Sequence, residues 1–347
     1  MANYVASSLA KAQAKVTQQW GASELRVITP SVVGLALKNK DIAIPAPEQL
    51  RVHENRVVDI NYFTKRAAGA GTAKAAAHTG SKGDSAKVNL TYITHVETFS
   101  VNAKLANNNI FAYEEILANE LKQAWDNLLA RHNTSAVDFL ETNRMQLGAA
   151  ALADAIAASG AGAWDDTNKT LEISVADKDL RLQKAESFLA ARYFTGMYDA
   201  VVDLKTWGDM MYLINQGAGN NQNLSYQFGN TTMVQSQKAL TANYTKGAFY
   251  LMPKAGFAGI CWNDKLNREN YQKDATIGLF TTMADPYGLG AVADLSVYSG
   301  RVNSSADTTG GSLQDVKDEY ELTLTIAYAS APLSTANDSV ITQFAIV

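Results

Sequence analysis

An α+β fold is what this 347-residue sequence predicts, and three observations predict it. One stretch, Asn107 to Asn133, repeats apolar residues at spacings of three and four, the period of an amphipathic helix. Val52 to Val101 alternates at period two on both sides of a tip rich in glycine, alanine and lysine. From Thr231 onward the chain reads mostly as strands separated by turns.

Composition bounds the class. Hydrophobic residues make up 47% and charged residues 18%, enough for a sizeable core in two domains or one elaborated domain. A net charge of −4 argues against a general electrostatic nucleic-acid binder. Cys261, the single cysteine, excludes an intramolecular disulfide and a thiolate metal cluster, and its setting in FAGICW predicts a buried thiol. No run is apolar enough to span a membrane, and the N-terminus lacks a signal-peptide pattern, so a cytosolic origin is expected.

Residues 3–20 predict a helix with Val5, Leu9, Ala12, Val16 and Trp20 on one face. Gly21 to Gln49, broken by Pro30, Pro45 and Pro47, predicts an extended arm with a helical turn near Ser31 to Leu37, packing over something rather than forming a core. In the ribbon that follows, Val58, Ile60, Tyr62 and Thr64 share a face going out. Val88, Leu90, Tyr92, Thr94 and Val96 share one coming back. An isolated ribbon of this kind is marginal in water, so it must lie on its own chain or on a neighbouring copy.

The tip, Lys65 to Lys87, holds no aromatic or branched aliphatic residue. It has nothing to bury against the entropy of ordering its backbone. Lys65, Arg66, Lys74, Lys82 and Lys87 against Asp84 leave a surplus of four positive charges. Without interleaved aromatics this suits an acidic surface of a neighbouring subunit better than single-stranded nucleic acid. These five basic residues are the candidate inter-subunit contacts.

After the ribbon, Phe111, Leu117, Leu121, Trp125 and Leu128 mark the core face of the long helix, with His132 beyond them and Glu114 and Glu115 near its positive end. Ala136 to Ala158 is helical by propensity and ends in the loop SGAGAW. Leu171 to Val175 predicts a strand; Glu186 to Met197 an amphipathic helix with Phe188, Leu189, Tyr193 and Phe194 on or beside its buried face; Tyr198 to Leu204 a buried strand; and Lys205 to Asn215 a helix. Strands are expected at Thr231–Val234, Ala248–Met252, Gly256–Trp262, Thr276–Met283, Ala291–Tyr298 and Glu319–Ala329, with Val340 to Val347 docking last.

Chemistry-bearing motifs fail on spacing. Gly80 is followed by Ser81 and then Lys82, which is not a P-loop. GLGAVA, Gly288 to Ala293, fits a dinucleotide fingerprint in letters but follows MADPY instead of a strand leading into a helix. His53, His78, His95 and His132 show no metal-ligand spacing, and His53 and His95 read as polar residues on the ribbon, not a metal pair. Asp165–Asp166 and Asp177/Asp179 read as turn residues. No catalytic residue, cofactor or metal is therefore expected.

The order of parts resembles the major capsid proteins of tailed bacteriophages, the Hong Kong 97-like fold. Val52–Val101 is similar to their extended loop and Asn107–Asn133 to their spine helix. YDAVVDLKTWGDMMYLINQGAG (Tyr198 to Gly219) looks like a unit of their axial domain, and FYLMPKAGFAGICW (Phe249 to Trp262) like the strand pair that follows it. The resemblance implies an N-terminal arm (1–50), an extended β-hairpin loop (51–102), a peripheral domain with the spine helix (103–185), an axial domain (186–300) and returning C-terminal strands (301–347).

It also implies a structural protein of the virion that self-assembles as hexamers and pentamers into an icosahedral shell around double-stranded DNA. Such a shell forms in the host bacterial cytoplasm, touches the genome without sequence-specific binding and involves no membrane. Expected partners are a separate scaffolding protein, since no long charged N-terminal extension is present, a portal, and decoration proteins on some shells. Some members cross-link through a loop lysine; no local motif singles out Lys65, Lys74, Lys82 or Lys87, so cross-linking is not expected here. An encapsulin-like compartment and a phage tail tube or sheath are the alternatives.

Overall fold

The computed structural model describes residues 7–16, 31–44, 47–50, 57–63, 85–102, 113–216, 226–228, 230–236, 238, 244–263, 278–303, 314–331 and 337–347. Two sheets and a long helix organise them. The first sheet runs β1 (Val57–Phe63), β2 (Ser85–Asn102), β12 (Gln314–Ser330), β11 (Val292–Asn303) and β10 (Gly278–Ala284), with β9 (Phe257–Trp262) also paired to β12. The second runs β3 (Ala163–Asp165), β4 (Thr170–Ile173), β13 (Thr342–Ile346), β8 (Ala248–Pro253), β5 (Tyr198–Val202), β7 (Thr231–Gln235) and β6 (Tyr226–Phe228).

Across the first sheet lies the spine helix, α5 (Tyr113–Thr142), 30 residues and about 45 Å long at ~1.5 Å per residue. It follows helices α1 (residues 7–16), α2 (Ser31–Lys38), α3 (Lys40–Ala43) and α4 (Pro47–Leu50). Leu117, Leu121, Trp125, Leu128, His132, Ala136 and Leu140 are buried at spacings of three and four, an unbroken stripe along the helix. The expected start at Asn107 and the candidate Phe111 lie outside the described residues, and the helix runs nine residues past Asn133. Tyr113 pins its first turn by donating to Asp318 Oδ2 of β12 at 2.5 Å, with the Tyr320 hydroxyl 2.9 Å away.

Several expectations are corrected. The segment read as one helix from Ala136 is divided. The spine helix ends at Thr142, Met145 N–H docks on Ile341 O at 2.9 Å, and α6 (Ala149–Ser159) starts afresh. SGAGAW is not all loop, because Ala163 begins β3, paired with β4. The strand at Leu171 stops at Ile173, where the Ser174 hydroxyl caps the 3-10 turn Val175–Leu180.

The helix expected from Glu186 is α7 (Arg181–Ala191); Leu182 and Ala185 extend its buried face, and it ends well before Met197. A Schellman cap closes it, with Phe194 N–H on Leu189 O and Tyr193 N–H on Ala190 O. Tyr193 takes the left-handed position, φ 67°, and its side chain is 86% exposed instead of facing the core. The strand–turn–helix after it holds: β5 is buried throughout and leads into α8 (Leu204–Gln216).

The first arm segment is not laid over a core but belongs to one. Val32, Val33, Ala36 and Leu37 are buried in the cluster shared with the spine helix. Close approach is possible because β9 offers Gly259, where an added Cβ would lie 3.1 Å from Ala36 Cβ. Phe249 to Trp262 is not one strand pair. β8 pairs with β13 and β5 in the second sheet, whereas β9 pairs with β12 in the first. The chain crosses between sheets at Pro253–Gly256, with Ala255 left-handed at φ 63°.

The ribbon is real and is anchored. β1 pairs with β2 from Val57↔Thr91 to Phe63↔Ser85, while β12 pairs with β2 from Lys317↔Asn102 only as far as Ala327↔Tyr92. Its base is held on the chain itself, with Leu90 buried beside Ile44, Ile260 and Ala327.

Candidate assembly surfaces

Past Tyr92 the ribbon leaves β12, and β1 is the strand paired with β2 over Ser85–Thr91, about 23 Å at ~3.3 Å per residue. Of the five basic candidates, Lys87 is on this stretch, exposed and opposite Asn61. Lys65, Arg66, Lys74 and Lys82 lie outside the described residues. The four described members of the helix set, Leu117, Leu121, Trp125 and Leu128, are brought together in a single buried cluster, with Trp125 Nε1–H donating to Met283 Sδ at 3.4 Å.

Other features reach the surface. Ile42 of α3 and Tyr212 of α8 are 67% and 65% exposed. Tyr193 stands beside a groove of about 520 Å³ lined by Leu147, Leu152, Ala155 and Phe194. Spacing gave no signal for Tyr193, since the helical period assigned it to the buried side; a left-handed cap reversed it.

Several of the titratable groups singled out in the sequence have structural partners. Asp285, pushed up by burial, accepts from the N–H groups of Tyr287, Leu289 and Ala291, so the GLGA letters form an aspartate-organised turn leading into β11. Asp165 accepts from the N–H groups of Thr167 and Asn168 in a turn, and Asp177 pairs with Lys184. His95 faces His132 of the spine helix, with ring centroids 4.6 Å apart; His53 and His78 are outside the described residues. Among the described residues no three His, Cys, Asp or Glu side chains are grouped to hold a metal, and no helix is long and apolar enough to cross a membrane.

No protein-family model matches the sequence, and no curated protein matches it either. Among solved structures, one from Mycobacterium phage Adephagia is 10% identical over 95% of this chain and 93% of its own, with a TM-score of 0.50. Cyanophage capsid asymmetric units also match: Pam1 at 10% identity, 93% and 94% coverage and TM-score 0.48, and A-1(L) at 12%, 93% and 94%, and 0.46. At such identities the likeness is one of fold: this chain shares the fold of the Adephagia phage structure, of the mixed helix and sheet class expected from its sequence.

Proposed function

We propose that this chain is the major capsid protein of a tailed phage, assembling as hexamers and pentamers into an icosahedral shell around double-stranded DNA. One observation carries the reading: a ribbon anchored on its own sheet at Leu90 and Tyr92 continues as the β1–β2 pair beyond its last pairing with β12, and the sequence joining its two strands has a surplus of four positive charges. A two-stranded ribbon is marginal in water, and a neighbouring copy is the partner that closed symmetry supplies to every subunit. The shared phage fold supports the same reading.

Lys65, Arg66, Lys74, Lys82 and Lys87 are the tip contacts in this proposal. The shell stands in the virion, having formed in the host cytoplasm with a separate scaffolding protein and a portal, and it touches the genome without reading its sequence. Chain chemistry is not required, because many weak contacts add through multivalency. Replacing residues 66–83 with an Asn-Gly turn tests it. The expected product is a folded monomer, with the far-ultraviolet dichroism of the parent, that no longer forms particles. Particles of unchanged yield and size from the shortened chain contradict the proposal.

A further inference from the structure

His95 of β2 and His132 of the spine helix meet where helix and sheet cross. Their rings stand edge to face, centroids 4.6 Å apart and planes at 74°. His132 is completely buried. Its Nε2 lies 2.9 Å from the Leu324 carbonyl oxygen of β12, and since a carbonyl only accepts, Nε2 carries the proton and Nδ1 a lone pair. The Tyr328 hydroxyl donates to the His132 carbonyl at 3.0 Å and lies 3.5 Å from Nδ1. His95 Nε2 is 3.0 Å from the Ser135 hydroxyl, one turn along the spine helix. One helical turn is thus fastened to β2 and to β12 by two neutral imidazoles.

The charged groups beside the pair are one cation and one carboxylate, already paired with each other. The spine helix brings Arg131, already ion-paired to Glu97 of β2 at 2.7 Å. β12 contributes Tyr328, a titratable group held protonated by burial, with Cys261 of β9 acting on it. A proton added to His132 therefore meets no carboxylate of its own, and a second on His95 sets two cations side by side.

We propose that the His95–His132 pair is an acid-opened seam, which at mildly acidic pH releases the spine helix from the first sheet while the second sheet stays closed. Burial lowers both groups, His132 to about 4, where the neighbouring His95 adds to the effect and the Leu324 hydrogen bond opposes it; Arg131 lowers His95 further. Because the folded values lie below the ordinary 6.5, the seam's contribution is complete above about pH 6.5 and is lost as pH falls toward about 4.

Hydrogen exchange read by mass spectrometry at about pH 7 and about pH 4.5, corrected for intrinsic rates, tests this on the full chain. Wild type is expected to exchange about tenfold faster at the acid pH over 92–98 and 125–140, with β5, β8 and β13 changing less than about twofold. The His95→Gln/His132→Gln double variant, whose amides still donate, is expected to hold its acid acceleration under about twofold. His95→Gln alone, at a partly exposed position, should cut the acceleration at least about threefold and keeps the test open if the double variant does not fold. Acid acceleration retained in the variants, or equal wild-type rates at both pH values in these segments, overturns the proposal.

Discussion

Asn39 donates its side-chain amide to Asp199 at 2.9 Å, joining residues 160 apart in the chain. The same Nδ2 reaches the Phe257 carbonyl at 3.0 Å, and Asp199 Oδ2 also accepts from Ala255 N–H at 3.2 Å. Both side chains are buried. The N-terminal helical segment, the second sheet and the crossing at Pro253–Gly256 are thereby fixed to one another by a single carboxylate.

Removing the amide leaves that carboxylate with one donor fewer in a dry site. Asn39→Ala should destabilise the chain by about 1.5 to 3 kcal/mol, the range for hydrogen bonds to charged groups, read as a lower urea midpoint. An unchanged midpoint would mean the joint is held by packing alone.

The joint also has a pH sign. Burial holds the Asp199 carboxyl above its ordinary 3.8, against the Asn39 and Ala255 hydrogen bonds and Lys254. A raised folded value means the folded state binds its proton first, so this group's contribution improves as pH falls through the raised value toward 3.8. Asp199→Asn should flatten that part of the stability profile, measured by urea unfolding between about pH 7 and pH 4. The slope opposes that of the histidine seam, so the two are separable.

The spine helix should show the contrast between its faces. Leu121→Ala empties a fully buried site and is expected to cost about 2 to 5 kcal/mol, whereas Gln123→Ala, on the exposed side, should stay within about 0.5 kcal/mol. Denaturant unfolding of both variants checks it.

That contrast was legible in the sequence, because a period of three to four over thirty residues is a strong signal. The ribbon was equally legible from its alternation. What failed was information that only tertiary contact supplies. Ser31–Lys38, short and bounded by Pro30, looks like an arm; its burial depends on Gly259, more than two hundred residues away, leaving room for Ala36. β8 and β9 looked like a strand pair because both are apolar with a tight turn between them, and no local feature says that the turn passes from one sheet to another. The candidate surface was half legible: tip composition marks Lys65, Arg66, Lys74, Lys82 and Lys87 as a charged group, but not what they touch. His95 and His132 were visible singly and missed as a pair, since the strand period pointed His95 across the ribbon and not toward the helix.

The Ala36 contact gives its own prediction. Gly259→Val adds bulk where even a first added Cβ would lie 3.1 Å from Ala36 and 3.4 Å from Tyr328, so overpacking should cost about 1 to 3 kcal/mol and speed proteolysis within 31–44. Unaltered cleavage there would mean that α2 is not held by this fit.

The left-handed Tyr193 separates stability from assembly. Tyr193→Gly removes a strain of about 1 to 2 kcal/mol and adds about 0.5 to 1 kcal/mol of backbone entropy cost, so the monomer should be unchanged to slightly more stable. If the exposed ring is a contact between copies, particle yield falls in the same variant; thermal unfolding and light scattering read the two effects separately.

Sedimentation velocity with negative-stain microscopy of the purified chain, alone and with the proposed scaffolding protein expressed beside it, tests the central claim most directly. Closed polyhedral particles built of hexamers and pentamers are the predicted result. Stacked rings or tubes, or a monomer that persists under both conditions with its ribbon protected from protease, would contradict it.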